Sequence, residues 1–451
     1  MIMKHLTSYK TIFCIGIGGI GMSAIARYFN NNNAKVFGYD RTASKLTQQL
    51  ELEGISIQTS LDTQHLKPLS PEDTLVIYTA AISQQNELLT YFKSKGFDCY
   101  KRARVLGEIT KDKPTLAIAG THGKTTTSAI LAHLLFEAQI NFTGFLGGVV
   151  NNFDSNYIST GCDLFVVEAD EFDRSFLYLQ PTKACVIAQD PDHLDIYETT
   201  EQFNQTFKEF VQLIPDSSHV FLGPQVNLNG INLELNSLGK FTLSNVKVVD
   251  EAFQFDFKLN DVELKSVRSN LPGLHNCINS ALALALAISE FPEKAEVFAK
   301  AISTFKGIKR RFNKVIDTED LVLIDDYAHH PTEIEAVYQT LKELYPNKRK
   351  MVVFQPHLFS RTRDFETDFT SVLKQFDVVA LLEVYPAREA PIKGVNSTFL
   401  AQKIGNHAKV ISKESIYQEV LSSQCEVVAM LGAGDIGVEV SNLTKQLKTN
   451  V

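Results

Sequence analysis

Three times along the chain a short apolar run leads directly into a glycine or acidic turn and then into a helix-compatible stretch. This restarting rhythm limits the possible folds more than any other feature. From residue 11 to about 110 the runs TIFCIGIG, KVFGYD and TLVIYTAAI alternate with polar, helix-compatible segments, as in a parallel sheet with crossover helices. The polar break Lys111-Asp112-Lys113-Pro114 ends that series, and TLAIAG, CDLFVVEAD and ACVIAQD begin a second one, with a helix from about Lys124. Residues 219–268 alternate with period two (FTLSNVKVV, FQFDFKL), as antiparallel strands do, before LPGLHNCINSALALALAI returns to helix. After the basic hinge from Gly307 to Phe312 come LVLIDD, MVVFQP, DVVALLEV and EVVAMLGAG, with PTEIEAVYQTLKEL as a helix between strands. A chain of 451 residues exceeds one hydrophobic core and suits about three domains. The expected architecture is α/β in three domains: 1–110, 111–308 and 309–451.

Composition narrows the partners. With 44% hydrophobic and 21% charged residues the chain has an ordinary globular balance. Acidic residues exceed basic ones, giving a net charge of −8, so a general grip on nucleic acid or anionic lipid is not expected. Any phosphate binding must be local. The first residues lack the apolar run of a secretory signal, and the most apolar stretch, Ala281 to Ile288, is far shorter than the roughly 20 residues that span a bilayer. Six scattered cysteines with no C-x-x-C pair point to a reducing cytoplasm and no thiolate zinc site. No repeat period appears, and the run Asn30 to Asn33 reads as a short turn.

Four places carry chemistry. Gly16, Gly18, Gly19 and Gly21 follow a strand and precede a helix, with Asp40 ending the next strand. Such glycines let backbone N–H groups approach a diphosphate, and the acid can hold a ribose; NAD, a nucleotide, a nucleotide sugar or merely a tight turn all fit. Gly120-Thr121-His122-Gly123-Lys124-Thr125-Thr126 follows a buried strand and offers bare backbone donors, an ammonium for terminal phosphates and a hydroxyl for Mg2+. The loop is a variant, because Ile118 stands where the full phosphate-loop pattern has glycine. Glu168, Asp170, Glu171 and Asp173 end one strand, and Asp190, Asp192, His193 and Asp195 another, so both acidic clusters can face one crevice holding Mg-ATP. Solvated loop acids are the plainer reading. In the last region Asp325, Asp326, Tyr327, His329 and His330 leave one strand, His357, Arg361 and Arg363 the next, and Glu383 to Arg388 a third. Pro331 suits the first helical position, which puts the histidines at a helix's positive end, and the arginines can capture a carboxylate or phosphate.

The motifs GIGGIGM, GTHGKTT, EADE, DPDHLD, LPGLHN, DDYAHHPTE and QPHLFSRTRD stand in the order found in the Mur ligases, and the chain resembles that family along essentially its whole length. Seven motifs in register over three regions are not expected from a shared fold alone. The resemblance, closest to the alanine-adding branch, implies a Rossmann-like N-terminal domain, a central P-loop ATPase-type α/β domain and a Rossmann-like C-terminal domain. It also implies ATP-dependent joining of UDP-N-acetylmuramate to L-alanine through an acyl phosphate in peptidoglycan precursor synthesis. Under it Gly16, Gly18, Gly19 and Gly21 with Asp40 hold the UDP sugar rather than NAD, and the shorter loop at Ile118 is normal. Lys124 contacts the β and γ phosphates within the loop from Gly120 to Thr126, and Thr125, Glu168 and His193 hold Mg2+. Asn276 approaches adenine, Asp326 the ribose, and an arginine of the Arg310–Arg311 pair, assigned as Arg311, the γ-phosphate. Tyr327, His329 and Arg361 surround the alanine, with His329 a candidate base. The competing expectations are a tripeptide-adding ligase, an NAD-dependent dehydrogenase and a nucleotide-switched binding protein without covalent chemistry.

Overall fold

The structure is a computed structural model and describes residues 4–190, 199–250, 252–387 and 389–449. The chain forms two compact units. The first holds the residues up to Lys247 with Gln254–Ser269 and Ile278–Phe305; the second holds Val248–Phe253, Asn270–Cys277 and the chain from Lys306 onward.

Two sheets lie wholly in the first unit. The N-terminal one is parallel throughout, in the order Ser56–Gln58, Lys35–Tyr39, Thr11–Ile15, Thr74–Tyr78, Asp98–Lys101. Strand order reverses beside Thr11–Ile15, and a crevice at such a reversal, beyond the carboxyl ends of the strands, is where open α/β sheets bind ligands. The central sheet has the order Ile231–Asn232, Val220–Leu222, Lys183–Val186, Thr115–Ala119, Phe165–Glu168, Thr143–Val150, Ser155–Ser159. Thr115–Ala119 lies inside this sheet and is buried along its whole length, so it reads as an unbroken apolar run. The helix Lys124–Glu137 that follows it is buried nearly all round, so its burial shows no one-sided stripe. Thr143–Val150 and Ser155–Ser159 form the antiparallel edge. One apolar cluster extends from Ile12 and Ile25 through Phe145 and Phe165 to Phe207 and Phe210, so both sheets share a core.

A four-stranded sheet has the order Glu234–Leu235, Phe241–Val249, Ala252–Leu259, Val262–Ser269. Burial alternates along Ala252–Leu259, as period-two patterning predicts. The first pair, however, runs parallel, with Glu234 opposite Thr242. Alternation marks a strand but not its direction.

The second unit carries a six-stranded sheet in the order Asn313–Asp317, Val322–Asp326, Val427–Leu431, Lys350–Phe354, Val378–Leu381, Ala408–Val410, parallel except for its first pair. Ile324 and Val352 enter one apolar cluster while Leu323 and Met351 enter another, so both faces of the sheet are covered. The expected helix PTEIEAVYQTLKEL is present as Pro331–Leu344, with His330 and Glu333 forming a capping box and Pro331 at its start. The asparagine run differs from expectation. Asn30 and Asn31 continue the helix Ile20–Asn31, and the chain breaks only at Asn33, whose φ of 63° asparagine tolerates better than most residues.

Candidate active site

The loop between Thr115–Ala119 and Lys124–Glu137 takes its shape from its glycines. Gly120 has φ +132°, and an added Cβ would lie 2.9 Å from the Ile187 nitrogen. Gly123 has φ +80° and a Cβ there would lie 2.5 Å from Asn279 Oδ1. Thr121 fastens the loop by donating from its backbone to Ala188 O (3.0 Å) and accepting at Oγ1 from the Asp190 N–H (3.2 Å). Lys124 Nζ donates to Gly120 O at 2.6 Å and to both oxygens of Glu171 at 2.8 and 2.6 Å. Glu171 is only 1% exposed, and burial pushes its carboxyl up to about 7 although Lys124 draws it back down. Thr125 Oγ1 donates to Glu168 Oε1 at 3.1 Å, and Glu168 Oε2 accepts the Gly147 N–H at 2.9 Å. The hydroxyl, the ammonium and two carboxylates therefore converge at one helix N-terminus. His122 lies 3.9 Å from Asp190.

The first glycine loop is equally constrained. Gly16 has φ +83°, Gly19 caps the helix Ile20–Asn31, and Gly21 lies so near Arg102 that a Cβ would fall 2.6 Å from its Nη1. Asp40 accepts the Gly18 N–H at 2.8 Å and the Thr42 N–H at 3.2 Å, so it holds the loop itself. A cleft opens beside this helix, with Ile20, Gly21 and Arg102 on one side and Gly147, Glu168 and Asp170 on the other. Arg102 reaches Asp170 at 3.6 Å. The glycine-loop helix and the acid next to the phosphate loop thus line a single opening.

In the second unit Asp326 is buried and accepts from the Phe312 N–H (2.5 Å) and the Ala328 N–H (2.7 Å), and burial raises its carboxyl above the usual range. Burial also pushes Asp325 up to about 6, although Arg310 beside it pulls down. The Arg310 and Arg311 guanidinium groups lie 5.0 and 5.4 Å from the Tyr327 ring centre. Arg311 pairs loosely with Glu333 at 3.8 Å, and His329 Nδ1 lies 3.2 Å from the same carboxylate. The rings of Tyr327, His329, His357 and Tyr385 follow one another at 5.3, 5.9 and 5.7 Å, and Arg361 is buried in the short helix Phe359–Asp364. Asn276, near the start of Leu274–Glu290, donates its side-chain amide to Pro272 O at 2.7 Å.

Comparison with known proteins matches these regions to one family. The description "Mur ligase family, catalytic domain" fits residues 11–114, "Mur ligase middle domain" residues 118–287, and "Mur ligase, glutamate ligase domain" residues 310–436. A UDP-N-acetylmuramate--L-alanine ligase from Christiangramia forsetii is 46% identical over 99% of both chains. The chain is a Mur ligase. A second enzyme of that name, from Flavobacterium johnsoniae, is 45% identical over 99% of this chain and 100% of its own. The crystal structure of a UDP-N-acetylmuramate-alanine ligase from Thermotoga maritima superposes with a TM-score of 0.83 at 26% identity, covering 98% of this chain and 100% of that one.

The motifs of this Mur ligase placed Glu171 only within an acidic cluster that could face Mg-ATP, yet it is the carboxylate that holds Lys124. It also missed Gly147, where any side chain would collide with Glu168, and Arg102, which faces Gly21 across the loop. A carboxylate three residues beyond Glu168, past the strand end, was the available signal. Asp192, His193, Asp195 and Arg388 lie outside the described residues.

Proposed function

We propose that this Mur ligase joins the carboxylate of UDP-N-acetylmuramate to the amine of L-alanine in peptidoglycan precursor synthesis, consuming ATP and releasing ADP and phosphate. The observation that carries the reading is the full-length likeness to alanine ligases, 46% over 99% of both chains, because it covers all three family regions together. The reading assigns 1–110 to the UDP sugar, 111–308 to ATP and 309–451 to the amino acid. Among the described residues no helix is long and apolar enough to cross a membrane. Action in the cytoplasm as a water-soluble enzyme is part of the proposal, as is the absence of nucleic-acid and membrane partners.

A carboxylate is a poor electrophile, so amide formation needs activation. A carboxylate oxygen attacks the γ-phosphorus and the bond to the β–γ bridging oxygen breaks, which gives an acyl phosphate and ADP. The alanine nitrogen then attacks the acyl carbon, loses a proton and expels phosphate. The chain's part is positioning and charge neutralisation. The N–H groups of the Gly16–Gly21 loop hold the diphosphate, and the cleft from Gly21 to Glu168 directs the acid toward the phosphate loop. There Lys124 neutralises the β and γ phosphates. Thr125 and Glu168 offer the oxygen donors a hard cation takes, and with His193 and phosphate oxygens they would hold Mg2+. When bound, that ion supplies charge stabilisation on the transferring group. Asn276 would approach adenine, Asp326 the ribose and Arg311 the γ-phosphate. Arg361 would pair with the alanine carboxylate beside Tyr327, and His329 would take the amine proton.

A coupled ADP-release assay with UDP-N-acetylmuramate across a panel of amino acids tests substrate and reaction together. Turnover with L-alanine supports the reading. Turnover with a tripeptide but not alanine replaces it, as does ADP release that requires no amine.

A further inference from the structure

Asn156 carries no part of the proposed chemistry, yet it is wholly buried and makes three hydrogen bonds across the first unit. It sits on the edge strand Ser155–Ser159, whose hairpin partner Thr143–Val150 contributes Phe145, Leu146 and Gly147 to the cleft wall. Its Nδ2 donates to Ile20 O at 2.5 Å and to Ser23 Oγ at 3.1 Å, both in the first turn of the helix after the glycine loop. Its Oδ1 accepts from Arg27 Nη1 one turn further on. Arg27, 5% exposed, is itself anchored bidentately, Nε and Nη2 each 2.8 Å from the Glu53 oxygens. A buried amide with three partners is costly to disturb, because each group it abandons stays desolvated.

The same hairpin reaches the other side of the cleft. Gly147 donates to Glu168, and Glu168 accepts from Thr125. Asn156 and Gly147 lie on the two strands of one hairpin, within the stretch between the Phe145–Tyr157 and Val150–Ser155 pairs where its register shifts, so the turn at Ile20 and the phosphate loop are both tied to this hairpin, and Asn156 is its point of attachment to the helix. Packing of Phe145 on Tyr28, 5.6 Å between ring centres, supports the joint without fixing its register.

We infer that Asn156, acting through the first turn of the helix and Arg27, is a positioning residue for phosphoryl transfer: it sets where the sugar-linked carboxylate stands against Glu168 and the phosphate loop. This rests on the proposed function. It acts on attack geometry, where a displacement of about 1 Å costs up to about a hundredfold in rate, rather than on either substrate's own contacts.

The test compares wild type, N156A and N156D for ADP release at saturating UDP-N-acetylmuramate and L-alanine, with KM for ATP, Kd for UDP-N-acetylmuramate and the melting temperature measured on each. N156D keeps the volume and an acceptor for Arg27 but loses both donors to the helix turn. The expected result is a kcat lowered about tenfold or more in both variants, with KM for ATP within about twofold and Kd within about threefold of wild type. Folded variants with wild-type kcat overturn the inference, as does a lowered melting temperature alone, a weakened Kd with full kcat, or failure of both variants to fold. If only N156A fails to fold, N156D decides. A wild type that releases no ADP with these substrates removes the proposed function, whereas an active wild type with unaltered variants removes only the role of Asn156.

Discussion

The buried Glu171 carboxylate pairs with the half-buried Lys124 in the loop proposed to hold the triphosphate, and removing one partner of such a pair strands a charge. Lys124→Ala is expected to lower kcat by about a thousandfold, the scale of lost oxyanion stabilisation, while UDP-N-acetylmuramate still binds; calorimetry against single-turnover rates checks both. Asp325 offers a test by pH. Its carboxyl is raised from the ordinary 3.8 to about 6, so between those values the folded chain holds more protons than the unfolded one, and stability falls as pH rises through that window. Asp325→Asn should flatten this fall in denaturant midpoints taken between pH 4 and 6, and an unchanged slope refutes the assignment. The thiols divide by burial. Burial pushes Cys14, Cys99 and Cys277 up to about 12, Cys185 and Cys425 are also raised by burial, and Cys162 is exposed. A thiol-reactive chromophore at pH 7.5 should report one fast thiol, absent in Cys162→Ser. The position of Glu171 past a strand end was visible in the sequence, but its pairing with Lys124 was not, because pairing across 47 residues depends on which strands become neighbours.

Elements were far more legible than partners. The strand runs and the helix Pro331–Leu344 stood out because burial imposes a period and Pro331 marks the start. The shape of the phosphate loop rests on backbone that only glycine adopts easily, and the sequence indicated that much. Gly123→Ala combines φ +80° with a 2.5 Å approach to Asn279, so it should cost about 1–3 kcal/mol and weaken nucleotide binding in the same melt and titration series. Aromatic stacking in the core gives a contrast. Phe176 lies 4.7 Å from Phe210 in parallel and edge-on to Phe207, and Phe176→Ala should cost about 3–5 kcal/mol in denaturant unfolding. What the pattern did not give was the Asn156 contact with the helix Ile20–Asn31, because a lone polar residue in a strand carries no mark of the helix it will meet.

At the scale of the whole molecule, the three starts of the α/β rhythm foretold three sheets of strand–helix origin. The four-stranded sheet was legible as alternation read as antiparallel, and its first pair runs parallel instead. The family regions 11–114, 118–287 and 310–436 each contain at least one glycine- or acid-bearing turn that the motifs singled out. Function belongs to this scale, since an acid, a triphosphate and an amine must be served by one chain. The most direct measurement is ADP release by purified protein with each substrate omitted in turn. The account predicts turnover only when ATP, UDP-N-acetylmuramate and L-alanine are all present, slowed about a thousandfold in Lys124→Ala. ADP formation that ignores the UDP sugar or the amino acid would contradict it.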